Sequence, residues 1–540
     1  MHVSTADRRL LAREAMLSTA VAASLAAFLL WATPPGIDWA AHAYQRTFLL
    51  EHGFQMWNNF WYAGRYSFVT YSLIYYPLAA LFGIKVLALA SIASAAMAFS
   101  VVMYRQWGSD SRVSSRTFAV LWVGIIGAAA FPFALAMSFA LLAIWALQEG
   151  RRGRFAVGAI LTLAASPLAF MLLTIVMAGV ALSRRSIRNA GLPVAIVAAC
   201  CAGELLIYRL FGDGGRFPFQ TLQLLPGIGF ALLGVWVTRG VAAAKPLRGL
   251  FWIYLVAVLV VYVVPSSVGS NIERIRYLAL PLALIAVALR GWRPLWLVLP
   301  VIVLAGVWNV TPIVASFARA TTDPEASRTY WQPGIDYLHA HLSPSYRVEA
   351  VDTAEHWPAA YLPDAGIPIV RGWYRQSDFP QNELLYDPKL AVAPYEAWLK
   401  RMGVRYVLLS DAPPDYSSRS EAALIRSGRT HLQLVYWTPH LLVYELPGAK
   451  PLIVGPAAAT VLWMYPSRIV AVFNQPGTYQ VKVRWSPYWR ASTGCVSKTR
   501  DGLTRLSLRH AGLVELGFRL SVGRGLRTLA GLSTQQRCNP

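Results

Sequence analysis

PPGIDWAAHAYQRTFLLEHGFQMWNNFWYAGRYSFVTYSLIYYP, residues 34–77, is the stretch whose reading decides the fold. It follows an apolar run at 16–33, which is itself preceded by Arg8, Arg9 and Arg13. Basic residues stay on the cytoplasmic side of a spanning helix, so the tail at 1–15 is cytoplasmic and this long loop lies outside. Its Tyr and Trp rings suit a membrane–water interface. Among them stand Asp38, His42, Glu51 and His52. Asp38 and His42 are four apart and share a face if the segment is helical, which lets them converge on one ligand. Asp38 also follows Pro-Pro-Gly and precedes an apolar run, the position of a helix N-cap. Both readings stay open on spacing alone.

Working outward, composition sets the class. Hydrophobic residues make up 56% of the 540 and charged residues 14%, which is a multi-pass membrane composition. The net charge of +23 would suggest nucleic acid in a soluble chain. Here much of it sits as Arg in short loops between apolar runs, as the positive-inside rule requires, so no nucleic-acid partner is expected.

Charge threads the apolar runs into about 11 crossings within residues 16–314: 16–33, 84–104, 117–131, 133–148, 155–165, 167–183, 189–210, 219–237, 249–264, 277–289 and 294–314. Two pairs among them are short, broken at Phe131-Pro132 and Ser166-Pro167, the second ending at Arg184, Arg185 and Arg188. Such broken backbone must face protein or a water-filled cavity. An odd number of crossings sends everything after 314 outside. Glu204, in the outer half of a span, is a candidate because an intramembrane carboxylate faces a cavity or a partner; Arg209 is the alternative partner.

The outer part divides in two. Residues 315–450 alternate helix and strand signals (RVEAVD, PYEAWLKRMG, VRYVLLSD, SEAALIRSG, LQLVYW, LLVYEL) and read as an α/β domain. Residues 451–540 read as a β-sandwich of short strands (TVLWMY, RIVAVF, TYQVKVRW, TRLSLR, LVELGFRL) with a net charge of about +10. That charge suits membrane headgroups or an anionic glycan. Within the α/β part, Arg371, Trp373, Arg375, Gln376 and Asp378 gather polar and aromatic groups suited to a sugar ring, unless Arg371 and Asp378 simply pair with each other. Cys200 and Cys201 fall inside a span, whereas Cys495 and Cys538 lie in the outer module, where oxidation is permitted, and are expected to pair. The fold expected is therefore a mainly α polytopic membrane protein with extracytoplasmic α/β and β-sandwich domains at its C-terminal end.

One span, a long outer loop opening with an Asp, short paired spans and a C-terminal outer domain: this order resembles the GT-C glycosyltransferases, polytopic enzymes that take sugars from polyprenyl-phosphate donors. The likeness is carried by GIDWAAHAYQ with WYAGRYSFVTYSLIYYP, and by SPLAF at 166–170 and GSNIERIR at 269–276. HWPAAY, RGWYRQSDFPQNELLY and SPYWRASTGC are similar to bacterial integral membrane proteins of the same broad type. The resemblance implies an inverting transfer in the bacterial cytoplasmic membrane to an envelope glycan or glycolipid acceptor. Asp38 is then the general base on the acceptor hydroxyl. His42 orients it or shares a divalent cation with it. Arg274 and Arg276 are then candidates for the donor phosphate, with interfacial snorkelling or pairing with Glu273 as the alternative. Two other classes fit the same architecture: a non-catalytic envelope scaffold that binds glycan, and a flippase for lipid-linked sugars.

Overall fold

The computed structural model describes residues 5–184, 191–212, 214–320, 324–532 and 534. Arg185, Arg188 and Cys538 lie outside the described residues. The chain divides into two compact units, one of Met1–Ile37, Tyr71–Leu205 and Arg216–Thr322, the other of Asp38–Thr70, Leu206–Gly215 and Asp323–Pro540. Most of the first outer loop thus groups with the C-terminal part of the chain.

The first unit is helical. Among the described residues, six helices are long and apolar enough to cross a membrane by length and composition: Asp7–Ala32, Ile84–Ala128, Phe131–Gln148, Gly191–Phe211, Lys245–Val263 and Leu295–Ala318. Pro167–Ser183 and Thr221–Val237 are shorter apolar helices. Each of the 11 expected crossings falls mainly on helix, but several helices are too short to span alone. Proline sets some of these lengths. Pro167 has no N–H and pushes the residue before it out of the helical region, so Ser166 is extended (φ −162°, ψ 114°). The Ala164 carbonyl at this break accepts the Leu73 backbone N–H at 2.8 Å, which is how broken backbone is satisfied away from water. Elsewhere the helices approach closely through small residues: a Cβ on Gly249 would come within 2.2 Å of the Gly179 carbonyl oxygen.

The second unit carries the sheets. Arg347–Ala350, Val404–Ser410, Leu441–Glu445 and Gln433–Trp437 form a four-stranded sheet in that order, the first pair parallel and the others antiparallel. Helices Arg328–His341, Val392–Met402 and Arg419–Arg426 belong to the same α/β part. The Val392–Met402 helix packs Tyr395, Trp398, Leu399 and Met402 into the core beside Val404, Val407 and Leu409 of the strand that follows. It stops at Gly403, whose φ of +79° is the left-handed cap a glycine takes at least cost.

Two further four-stranded antiparallel sheets follow. One orders Cys495–Lys498, Leu503–Leu508, Gly477–Arg484 and Ile453–Val454; the other orders Trp489–Ala491, Gly512–Phe518, Arg468–Phe473 and Ala459–Tyr465. Phe473 of one sheet meets Tyr479 of the other at 4.8 Å. Cys495 is disulfide-bonded, while Cys200 and Cys201 are free.

The first loop is stitched into this unit through its backbone. Trp39–His52 is helical, and Trp57–Asn58 pairs with Arg65–Tyr66. The Asn59 N–H donates to Pro466 (2.8 Å), the Ile369 N–H to Phe60 (3.0 Å) and the Arg484 N–H to Ala63 (2.8 Å). Trp61 Nε1 donates to the Ala359 carbonyl at 2.8 Å.

Candidate functional site

Asp38 occupies the N-cap position of the Trp39–His52 helix, but its side chain makes no capping bond. Trp373 Nε1 instead donates to Asp38 Oδ1 at 2.7 Å. His42, one turn along, is fully buried and meets the Trp373 ring edge-on at 5.4 Å. The shared helical face expected for Asp38 and His42 is therefore a place where both meet one indole. Asp38 itself is half-buried. Among the described residues no three or more His, Cys, Asp or Glu are grouped to hold a metal ion. One carboxylate and one imidazole that faces an indole do not make a donor set for a divalent cation.

Trp373 is held by what lies on either side of it. Arg371 and Asp378 form a bidentate pair (Nε to Oδ1 3.1 Å, Nη2 to Oδ2 2.9 Å), 2% and 0% exposed. The Arg371 guanidinium also donates to Ser417 Oγ and Ser418 Oγ, each at 2.7 Å. Arg375 pairs with Asp352, lies 3.1 Å from Asp415 and donates to the Gly372 carbonyl at 3.0 Å. His356 Nδ1 lies 2.7 Å from Asp352. Of the two readings open for Arg371, Arg375 and Asp378, sugar contact or an internal pair, the buried ion pairs are the geometry observed. They fix the turn that presents Trp373. On that turn Tyr62 donates to the Gly372 carbonyl at 2.7 Å, and the Arg65 guanidinium lies 3.5 Å over the Tyr374 ring.

The ion pairs outweigh burial at two of these carboxylates. Burial alone would raise the carboxyl of Asp378, but Arg371, Arg375 and the Asn382 amide hold it below the usual range. Burial works the same way on Asp415, and Arg375, His356 and Ser417 bring it down to about 2. Glu421 moves the other way: burial lifts it to about 7, only partly opposed by Arg371.

In the helical unit, Arg274 and Arg276 lie on the 3-10 segment Gly269–Leu278. Their surroundings differ. Arg274 rests 5.4 Å from the Phe133 ring. Arg276 lines an apolar cavity of about 670 Å³ between helices Thr221–Val237, Lys245–Val263, Ala279–Leu289 and Leu295–Ala320, walled by residues such as Leu225, Phe230, Phe251, Ala283 and Trp308. It is the one ionisable side chain in that lining, and its Nε is buried without a hydrogen-bond partner among the described residues. Glu204 sits half-buried on the Gly191–Phe211 helix and does not line this cavity. The sequence reading missed the cavity, because the small and apolar residues that open it look the same as those that close a helix interface. It also missed Asp352, just beyond the Arg347–Ala350 strand, and Asp415, in the loop after the Val404–Ser410 strand.

No family model matches the chain, and no curated protein matches it. Among solved structures it is similar to the arabinofuranosyltransferase AftD from Mycobacteria, at 16% identity and a TM-score of 0.45, over 90% of this chain and 42% of that one. The chain thus spans less than half the length of AftD. It is also similar to ArnT from Cupriavidus metallidurans, in the apo state (14% identity, TM-score 0.40, 79% of this chain and 97% of that one) and bound to undecaprenyl phosphate (14%, 0.30, 84% and 100%).

Proposed function

We propose that the chain is a membrane glycosyltransferase of the GT-C type, moving a sugar from a polyprenyl-phosphate donor to an envelope glycan or glycolipid at the outer face of a bacterial cytoplasmic membrane. The observation that carries this reading is the Asp38 carboxylate, which stands half-buried at a helix N-cap without a capping bond and accepts the Trp373 indole N–H. A capping residue turns its oxygen to the helix; Asp38 does not, as a general base requires.

In the proposed reaction Asp38 takes the proton of the acceptor hydroxyl as its oxygen attacks C1 of the sugar. The bond between C1 and the phosphate oxygen breaks, its electron pair leaves with the polyprenyl phosphate, and the configuration at C1 inverts. Trp373 and His42 orient the base. Arg276 binds the departing phosphate with its forked donors, Arg274 adds positive charge on the same segment, and the apolar cavity beside Arg276 takes prenyl units. The proposal places the N-terminus in the cytoplasm and residues 34–77 and 315–540 outside. Glu204 remains a proposed acceptor contact without a partner assigned.

The test is turnover by purified protein in lipid of a panel of radiolabelled polyprenyl-phosphate sugars. Transfer from one of them supports the reading and identifies the sugar; a panel that is neither bound nor consumed returns the molecule to the scaffold or flippase class. Two variants sharpen it. Arg276→Gln is expected to bind undecaprenyl phosphate about tenfold more weakly, measured by native mass spectrometry. Trp373→Phe keeps the ring but not the N–H, and is expected to lower kcat about tenfold to a hundredfold with KM little changed. An unchanged kcat would show that the indole does not position the base.

A further inference from the structure

The last helix of the second unit, Val522–Leu529, is turned the opposite way from a helix on a water-facing surface. Its inner side is Arg524 and Gly525. Arg524 donates to the Pro487 carbonyl (2.6 Å) and the Trp489 carbonyl (2.8 Å), fixing the helix to the sandwich by its charged residue. Its outer side shows Val522, 82% exposed, and Leu526, 62% exposed, with Leu520 and Leu532 exposed on either flank. Exposed apolar faces of this kind mark interaction sites.

Two observations say what covers it. A Cβ on Gly525 would lie 3.5 Å from Leu210, and Phe211 stacks at 5.6 Å on Tyr488; Leu210 and Phe211 end the Gly191–Phe211 helix, one of those long and apolar enough to cross a membrane. The helix is therefore docked on the C-terminal end of that apolar helix. The second observation is charge: Arg490 and Arg527 crowd Arg524 closely enough to add to the burial that lowers its pKa, so this end of the module is a cationic cluster.

We infer that the Val522–Leu529 helix lies in the bilayer surface, with Val522 and Leu526 in the acyl boundary and Arg490 and Arg527 among anionic headgroups. An amphipathic helix binds such a surface through its buried apolar area together with attraction to anionic lipid. This holds whatever the chain transfers.

The test uses the full chain in nanodiscs, with Cys200→Ser and Cys201→Ser, and a spin label at Leu526→Cys or, as an aqueous reference, at Lys498→Cys. The ratio of collision with oxygen to collision with a water-soluble nickel reagent is expected to be at least about threefold higher at 526 than at 498 in discs of phosphatidylethanolamine and phosphatidylglycerol. It is expected to fall in phosphatidylcholine discs, and Arg490→Gln with Arg527→Gln should remove the difference between the two lipids. A ratio at 526 equal to that at 498 in both lipids overturns the inference. So does a label shielded equally in both lipids in a sample whose mass shows two copies, because the face would then be covered by a second chain.

Discussion

Asp38→Asn is expected to lower transfer by about a thousandfold or more while leaving donor binding intact, since a positioned base contributes roughly a hundredfold to ten-thousandfold and the amide cannot take the proton. Asparagine keeps the oxygen that accepts the Trp373 N–H, so the geometry around it is preserved. Asp38→Ala removes both the base and the acceptor of that bond. If Asp38 is the base, the two variants lose nearly equal activity, because orientation matters only once there is a base to orient. Single-turnover assays with donor binding measured separately would check this. Variants that transfer normally would sink the assignment of Asp38 and bring the glycan-binding scaffold forward.

The second large effect is on stability. Asp378→Ala strips the buried Arg371 guanidinium of its bidentate carboxylate, leaving only Glu421 at 3.9 Å, and breaking a buried pair from one side costs about 3–5 kcal/mol. For a unit of this size that corresponds to a fall in Tm on the order of ten degrees. Asp378→Leu combined with Arg371→Met removes both charges and should recover much of the loss, which a simple packing defect would not. The same cluster sets an acid limit. Asp378 and Asp415 are depressed in the folded state, so their stabilisation is complete above the unfolded carboxyl value of about 4 and is lost as pH falls through the folded values, about 2 for Asp415. Melting curves should therefore drop steeply between those limits. A flat profile there would show that the ion pairs do not hold the turn.

How far the sequence could be read depended on the distance over which each feature is written. The strands at Arg347–Ala350 and Val404–Ser410 and the helix at Val392–Met402 were legible because alternation, periodicity and a closing glycine are local signals. The pairing of Arg371 with Asp378 was visible as an alternative because both lie within eight residues. The bond from Trp373 to Asp38 crosses 335 positions, and neither residue type announces the other. Span length was only partly legible: hydropathy marks apolar helices, but it cannot separate one that crosses from one that stops short at a proline. The attachment of the first loop was not legible at all. Its backbone bonds at Asn59, Phe60 and Ala63 leave no trace in side-chain pattern, and the side chains that help, such as Asn59 and Trp61, reach partners hundreds of residues away.

That attachment imposes an order on biogenesis. Residues 38–70 leave the ribosome well before the residues near 369, 466 and 484 whose carbonyls and amides they bond to. Synthesis proceeds from the N-terminus, at about 5–20 residues each second, so the loop waits tens of seconds with its partners unmade. Its docking is among the last events in assembly, and it reports on all of them. A chain cut short within the final sheets would lack the partners of the Asp38 loop and leave it undocked.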